Sequence, residues 1–234
     1  GDILVFQPDT ESINRLEQPD DLYLYMPTPV AEGFCCIAYN EQTRTSSLVL
    51  YDGESFRTLV DPIYPHYTEN FRSILIRNEN EYWLGGNRGL VIFHDGQIHT
   101  FQPNDPYHIP GAFTLLELQD NRVWIGGRDL IHEYKEGSWR KIDTPPLETV
   151  RYMMEATDGS VWVISGTGIH RFHQETWVTY TPNDGLPDAR IESIMEDRSA
   201  RIWAATNKGL TLFHREVDLD PPQTLIPKEQ NLTK

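Results

Sequence analysis

Short runs of branched and aromatic residues recur along most of the chain, and turns rich in Gly, Asn, Asp and Pro separate them. Ser73–Ile76, Gly89–Phe93 and Gln97–Phe101 are three such runs in succession. Runs of this kind, bounded by turn residues, are typical of β-strands. No long stretch shows the spacing of about 3.6 residues between apolar positions that an amphipathic helix requires. The pattern therefore predicts an all-β chain.

Four tryptophans mark a repeat within this pattern, and each stands in the same strand-like phrase. Trp83, Trp124, Trp162 and Trp203 follow one another at intervals of 41, 38 and 41 residues. Four short strands in a repeat of about 40 residues make one blade of a β-propeller. One blade cannot bury both faces of its sheet, so neighbouring blades stack around an axis. We expect each of the four tryptophan rings to pack between adjacent blades, where it buries a large apolar area.

The predicted fold is therefore a β-propeller of about five four-stranded blades, with partial blade segments at both ends. Residues 1–32 are predicted as a partial blade or closing strands, 33–70 as a degenerate blade, 71–110, 111–147, 148–187 and 188–216 as blades, and 217–234 as an extended linker or tail of the same domain. Leu22–Tyr25 is assigned to the partial segment and Phe34–Ala38 to the innermost strand of the degenerate blade, in which no tryptophan stands near Glu41. Such a set of blades closes alone or as part of a larger ring, and the pattern leaves both open.

The repeat around Trp162 carries the fullest set of motifs. It reads Asp158-Gly159-Ser160-Val161-Trp162, then Gly168-Ile169, and then Gly185-Leu186-Pro187 at the junction to the next blade. This succession resembles the two-component-regulator propeller repeat, and the resemblance extends over about residues 72 to 215. The resemblance implies a periplasmic sensor propeller in a larger signalling protein, with more blades than this chain supplies. An additional chain or domain would then complete the ring.

The end of the chain adds a second resemblance. Asp220-Pro221-Pro222 is similar to the linker that leads from such propellers into a β-sandwich domain. Proline removes a main-chain donor and restricts the residue before it, so this step is expected to be extended and stiff. We expect the chain to be a segment of a longer protein, with a terminal tail as the alternative reading of these residues.

Composition excludes several classes of partner. The 234 residues include 35 Asp and Glu but only 20 Lys and Arg, which gives a net charge of −15. A nucleic-acid surface needs a basic stripe to neutralise phosphates, so no nucleic-acid partner is predicted. No apolar run approaches the roughly 18–20 residues of a spanning helix, so this segment is not predicted to insert into a membrane.

Cysteines and histidines give no metal or cofactor prediction. Cys35 and Cys36 are adjacent in a predicted strand, where their side chains point to opposite faces and are read as small apolar residues. His94, His173 and His214 occupy equivalent blade positions, but equivalent positions on separate blades lie well beyond the roughly 2.1 Å of a zinc–nitrogen bond. We therefore expect neither a bound metal nor a cofactor.

Candidate contact residues come from the turns that follow the tryptophan strands, because loops on a rigid scaffold often carry recognition. Two further tryptophans lie in the last strands of their blades, where the repeat constrains them less. The residues predicted to contact a small molecule, a glycan or a protein are Asn87, Arg88, Arg128, Asp129, Thr167, Asn207, Lys208, Trp139 and Trp177.

Two classes of function are compatible with these observations. The first is a non-catalytic module for ligand sensing or protein–protein interaction, and no catalytic residue is assigned on this hypothesis. The alternative is a propeller-fold lyase or hydrolase that uses His108, His132 or His170 with a nearby carboxylate. A histidine hydrogen-bonded to a carboxylate would favour the enzyme. A site lined by aromatic and neutral polar groups would favour the binding module.

Overall fold

The computed structural model describes residues 4–7, 11–16, 21–63, 71–101, 104–213 and 223–225. The predicted linker or tail at 217–234 therefore lies outside the described residues apart from 223–225, and His214 lies outside them as well. The regular secondary structure of the described residues consists of β-strands and one short 3-10 helix at Pro182–Asp184. None of the described helical structure has the length and apolarity of a membrane span.

Five four-stranded antiparallel sheets follow one another along the chain, after a two-stranded hairpin of β1 (Leu4–Gln7) and β2 (Ser12–Arg15). Sheet I comprises β3 (Leu22–Val30), β4 (Gly33–Asn40), β5 (Thr45–Tyr51) and β6 (Phe56–Val60). Sheet II comprises β7 (Phe71–Asn78), β8 (Glu81–Gly86), β9 (Gly89–His94) and β10 (Gln97–Thr100). Sheet III comprises β11 (Thr114–Glu117), β12 (Val123–Gly126), β13 (Ile131–Lys135) and β14 (Ser138–Ile142). Sheet IV comprises β15 (Tyr152–Glu155), β16 (Val161–Ile164), β17 (Ile169–His173) and β18 (Thr176–Tyr180). Sheet V comprises β19 (Ile191–Glu196), β20 (Ile202–Thr206), β21 (Gly209–Phe213) and β22 (Gln223–Leu225).

Each sheet is a simple meander, in which every strand pairs with the next strand in sequence. The chain divides into two compact units, residues 1–87 with 91–99 and residues 88–90 with 100–234. The first unit holds sheet I and most of sheet II, and the second holds sheets III to V. The predicted all-β class and the four-stranded repeat are confirmed.

The structure corrects one expectation about the start of the first full sheet. Residues 22–25 do not belong to a separate partial segment, because β3 pairs directly with β4 in sheet I. Phe34–Ala38 therefore lies in the second strand of its sheet. A register shift between Tyr25 and Thr28 accommodates Pro27, which cannot donate to the ladder. Because the register shift interrupts the alternation of apolar and polar residues, the sequence pattern does not show the full length of β3.

Trp124 and Trp162 of the second unit pack between consecutive sheets, as the repeat predicts, whereas Trp203 is only half-buried. Trp124 in sheet III is fully buried against Met153 and Val161 of sheet IV. Trp162 in sheet IV is 2 % exposed and packs against Ile194 of sheet V. Each ring therefore contributes to a core that neither sheet could form alone.

Every tryptophan of the repeat also has a partner for its indole N–H. Nε1 of Trp83 donates to Glu81 Oε1 at 2.7 Å, and Nε1 of Trp124 donates to Glu133 Oε2 at 2.9 Å. The acceptors for the other two are Ser160 Oγ, 3.0 Å from Trp162 Nε1, and Asp197 Oδ2, 2.9 Å from Trp203 Nε1. A buried indole N–H without an acceptor would be costly, so the buried acceptors Glu81, Glu133 and Ser160 are part of the core.

Carboxylates also link consecutive sheets in the second unit. Glu155 Oε2, at the end of β15, accepts from the main-chain N–H of Gln119 at 2.7 Å. Glu196 Oε2, at the end of β19, accepts in the same way from Thr157 N at 2.8 Å. Each glutamate thus caps the turn between the first two strands of the preceding sheet. Part of the acidic character of the chain is therefore structural.

Candidate functional site

The turns chosen from the sequence lie at one end of the sheets of the second unit. Arg128 and Asp129 follow β12, Thr167 follows β16, and Asn207 and Lys208 follow β20. Because the strands are antiparallel, this end also carries the connections 143–151 and 181–190 between consecutive sheets. The structure thus places these five residues beside the inter-sheet connections.

The turn of sheet III holds one of these connections through its main chain and its carboxylate. Asp129 Oδ1 accepts from Leu147 N at 3.1 Å and from Glu148 N at 3.3 Å. Asp129 N donates to the carbonyl oxygen of Glu148, and Arg128 forms an isolated β-bridge with Thr149. The polar groups of Asp129 are therefore engaged in positioning the connection.

The turn of sheet IV holds the same connection from its other side. Thr167 Oγ1 donates to the carbonyl oxygen of Pro146 at 2.7 Å, and Gly166 N donates to that of Leu147 at 3.1 Å. Trp177 Nε1 donates to the carbonyl oxygen of Asp143 at 2.8 Å. The structure thus brings Asp129, Thr167 and Trp177 together around residues 143–151.

The other candidate residues lie apart from that group. Lys208 Nζ is 2.7 Å from Asp188 Oδ2. This contact is the main reason that the pKa of the Asp188 carboxyl lies below its ordinary value. Asn207 and Arg88 are exposed in their turns. Asn87 Oδ1, in the turn of sheet II, accepts from Arg72 Nε at 2.8 Å. As contact residues for a ligand or partner, all of these turn positions stay predictions.

Trp139 lies near the opposite end of sheet III, within a cluster of aromatic rings. Its ring centroid is 5.0 Å from that of Tyr134, 5.1 Å from that of Phe101 and 6.1 Å from that of Tyr107. The Trp139 side chain is half-buried. Its predicted role as a contact residue also stays a prediction, with mutual ring packing as the observed interaction.

The buried histidine of sheet IV is surrounded by hydroxyl groups. His170 Nε2 lies 2.8 Å from Ser165 Oγ and 3.1 Å from Thr167 Oγ1, and Nδ1 lies 2.9 Å from Thr179 Oγ1. Burial lowers the pKa of His170 to about 4, because the charged imidazolium would lose its hydration. At neutral pH the ring is therefore neutral.

The other two histidines of the enzyme hypothesis have different surroundings. His132 is buried in β13, its Nδ1 has no hydrogen-bond partner in the structure, and burial together with Lys141 lowers its pKa. His108 Nδ1 lies 3.1 Å from the carbonyl oxygen of Phe101. The hydrogen-bond partners of His170 and His108 are thus hydroxyls and a carbonyl. The described residues show no histidine–carboxylate pair at these three positions and no cluster of metal-ligating side chains.

We expect His170 to make the folded protein less stable in mild acid. Its folded pKa lies below its ordinary value of 6.5, so stability is full above about pH 6.5 and falls as the pH drops towards 4. Between these pH values His170 is protonated in the unfolded chain but stays neutral in the folded chain. Between pH 7 and pH 5 the loss should be about 2 kcal/mol. Urea unfolding at the two pH values measures it.

The matched control for this prediction is His170→Gln, which removes the titrating group and retains an amide in the same place. Contributions from other titrating groups, His132 among them, cancel in the difference between the native protein and the variant. An equal pH dependence in both proteins would show that His170 is not the source.

A cleft between sheets I and II is the feature that the sequence pattern does not indicate. Its volume is about 490 Å³, and it lies entirely within the first unit. Its floor includes the buried Cys35, and its apolar walls are Val30, Leu50, Leu59, Ile74, Ile76 and Tyr82. Four charged residues stand at its rim: Glu32, Arg57, Arg77 and Glu79. A concave apolar site with a few polar groups and a volume of roughly 300–1,000 Å³ is the usual form of a small-molecule site.

The thiol and the hydroxyl of the cleft are uncharged, and one of the charged groups at its rim is already paired. Burial raises the pKa of the Cys35 thiol to about 11, so the thiol is protonated at neutral pH. The Tyr82 hydroxyl donates to the carbonyl oxygen of Glu79 and is thereby fixed at the edge of the cleft. Arg77 is ion-paired with Glu81, 3.0 Å from Nη1 to Oε1. The cleft can therefore bury part of an apolar molecule and orient it at the rim.

Comparison with known proteins finds similarity in structure. Neither a protein-family profile nor a curated protein sequence matches the chain. The extracellular domain of a hybrid two-component system from B. thetaiotaomicron superposes with a TM-score of 0.68 at 16% identity, covering 91% of this chain and 30% of that one. Virginiamycin B lyase from Staphylococcus aureus gives 0.67 at 14% identity, covering 96% and 77%. YCF48 bound to D1 peptide gives 0.62 at 13% identity, covering 91% and 69%.

These similarities confirm the β-propeller fold predicted from the tryptophan repeat. The match to an extracellular domain of a two-component system agrees with the predicted resemblance to the two-component-regulator propellers, at the level of the fold. This chain spans 30% of the length of that protein. The similar folds include a sensor-system domain as well as a lyase, so the fold by itself is compatible with both classes of function.

Proposed function

We propose that this chain is a non-catalytic binding module that senses a small molecule, as part of a larger signalling or multidomain protein. The observation that carries the proposal is the cleft of about 490 Å³ between sheets I and II. Its walls are apolar, its floor thiol is protonated, and its charged groups stand at the rim. This arrangement suits reversible binding of a molecule that is largely apolar, because most of the gain comes from burying apolar surface.

Two further observations support the proposal. A domain of a two-component system has a similar fold, and that protein is about three times as long as the part matched here. The polar groups of Asp129 and Thr167, which are prime candidates for a site in the second unit, are engaged in holding residues 143–151. Ligand recognition by the cleft leaves this end of the sheets free to contact a protein partner.

The enzyme alternative is favoured by one observation, the similar fold of virginiamycin B lyase. Its candidate base in this chain is His170, which is buried among Ser165, Thr167 and Thr179. A general base needs access to the proton that it removes. The His170 ring is 1 % exposed, and this burial favours a structural role.

The proposed function predicts where small molecules bind. Methyl-labelled protein titrated with a fragment set of aliphatic, aromatic and charged compounds should show shifts of the Leu50, Leu59 and Ile74 methyl groups, which line the cleft. The Ile169 methyls, fully buried beside His170, should not move. Shifts confined to the surroundings of His170, or the absence of any fragment that moves the cleft methyls, would contradict the proposal.

A further inference from the structure

The register of the strands shows which residue of sheet I stands in the place of the repeat tryptophan. In sheet III, Trp124 pairs with Glu133, which pairs with Arg140. Two rows of sheet I point towards the following sheet: Cys35–Leu50–Arg57 and Ile37–Leu48–Val60. The first of them ends in an arginine, as the Trp124 row does. Cys35 and Trp124 both belong to the cluster shared with the next sheet. Cys35 is therefore the counterpart of the tryptophan, and Cys36 faces the other way, with Leu24 and Val49.

The opposing wall is equivalent as well. Trp124 packs with Met153 and Val161 of sheet IV. Met153 stands one residue before the partner of Trp162, and Val161 stands one residue before Trp162 itself. In sheet II the same positions relative to Trp83 are held by Ile74 and Tyr82.

Both Ile74 and Tyr82 line the cleft. The cleft thus lies between the two surfaces that enclose an indole ring in the second unit, and the ring between them is replaced by a cysteine.

The second unit shows what fills such a space. Trp124 fills the one between sheets III and IV, and Trp162 fills the one between sheets IV and V. Guanidinium groups lie over indole rings of the repeat, with Arg171 5.8 Å from the Trp162 centroid and Arg77 5.7 Å from that of Trp83. In the cleft, Arg57 occupies the row position of Arg140, close to the Cys35 thiol. Such a group can stack on a planar ring.

We infer that the cleft binds a planar bicyclic aromatic molecule of the size of an indole, which takes the place of the missing tryptophan side chain between Cys35, Ile74 and Tyr82. The inference rests on the proposed function, since it names the ligand class of the same cleft. Leu50 stands where Glu133 accepts the Trp124 N–H, so a polar group of the ligand finds its partners at the rim, among Glu32, Arg57 and Glu79. The volume of about 490 Å³ leaves room for such a substituent beside the ring.

The test uses indole as the probe and calorimetric titration of the whole chain as the measurement. Native protein should bind indole, and the Cys35→Trp variant should bind it at least tenfold more weakly, because its own ring occupies the site. The same variant should unfold at a higher temperature, since the added ring restores the packing of the repeat. The matched control is Cys36→Ala, which changes the neighbouring thiol on the opposite face and should leave indole binding unchanged.

A second measurement keeps the inference testable if the Cys35→Trp variant does not fold. Methyl spectra of the native protein should show indole shifting Leu50, Leu59 and Ile74. Cyclohexanol, an aliphatic ring, should shift them far less at the same concentration. If cyclohexanol moves these methyls and indole does not, the cleft is still a binding site and the aromatic class is wrong. If neither moves them, the proposed function fails together with the inference.

Discussion

Replacing Trp124 by alanine is expected to lower the free energy of unfolding by about 3–5 kcal/mol, the usual cost of truncating a fully buried large aromatic residue. The ring is 0 % exposed and lies in the core between sheets III and IV. Its removal leaves a cavity that neither sheet can close alone, because each is held by its own ladder of strand pairs. Urea unfolding of the native and variant proteins measures the difference.

Two variants calibrate this result. Trp124→Phe keeps an aromatic ring but removes the N–H that donates to Glu133, so a smaller loss of about 1–2 kcal/mol is expected. Trp139→Ala removes a half-buried ring outside that core and should cost less than Trp124→Ala. A cost below about 1 kcal/mol for Trp124→Ala would be inconsistent with tryptophan packing between the sheets.

Replacing Glu133 by alanine is the second change with a large expected effect, about 3 kcal/mol of unfolding free energy. The carboxylate is 4 % exposed and accepts from three donors: Trp124 Nε1 at 2.9 Å, Arg122 Nη1 at 2.8 Å and Arg140 Nε at 2.5 Å. Burial alone raises the pKa of Glu133, but the hydrogen bonds from Arg140, Trp124 and Arg122 outweigh it, and the pKa lies below its ordinary value. The variant leaves the buried indole N–H without an acceptor, removes the ion pair of Arg140 with Glu133, and leaves Arg122 paired with Asp120 alone.

Glu133→Gln is the matched control, because its amide oxygen still accepts from Trp124 while the charge is lost. We expect it to cost less than Glu133→Ala, since only the ion pairs weaken, and Arg140 is about half exposed to solvent. Equal stabilities of the alanine variant and the native protein would mean that the carboxylate does not support the tryptophan. Thermal unfolding at neutral pH distinguishes these outcomes.

The architecture could be predicted from the sequence because the same tryptophan-bearing strand recurs in four of the five sheets. Trp83, Trp124, Trp162 and Trp203 each occupy the second strand of a sheet, and the runs around them alternate as strands do. The partners of their N–H groups could not be predicted in the same way. Glu81 and Ser160 lie two residues before their tryptophans, but Glu133 lies nine residues after Trp124 and Asp197 six before Trp203. The acceptors are set by proximity in the folded structure, and no single sequence offset is shared by all four.

The candidate site was less accessible to prediction. The turns beside the tryptophans are visible in the sequence, but the engagement of Asp129 and Thr167 with residues 143–151 depends on tertiary contacts. The missing tryptophan of the first full sheet is also visible. The sequence does not show which of the two adjacent cysteines takes its place, because the strand register decides which side chain faces sheet II. Because the cleft results from the lack of a large side chain, no sequence motif marks it.

The most direct measurement of the central claim is a crystal structure of the native protein soaked with indole. We expect planar density between Cys35 on sheet I and Ile74 and Tyr82 on sheet II, in the orientation that Trp124 adopts towards Met153 and Val161. Density for indole beside His170 or at the turns of the second unit, with the cleft filled only by solvent, would contradict the claim that the lost tryptophan has become a ligand site.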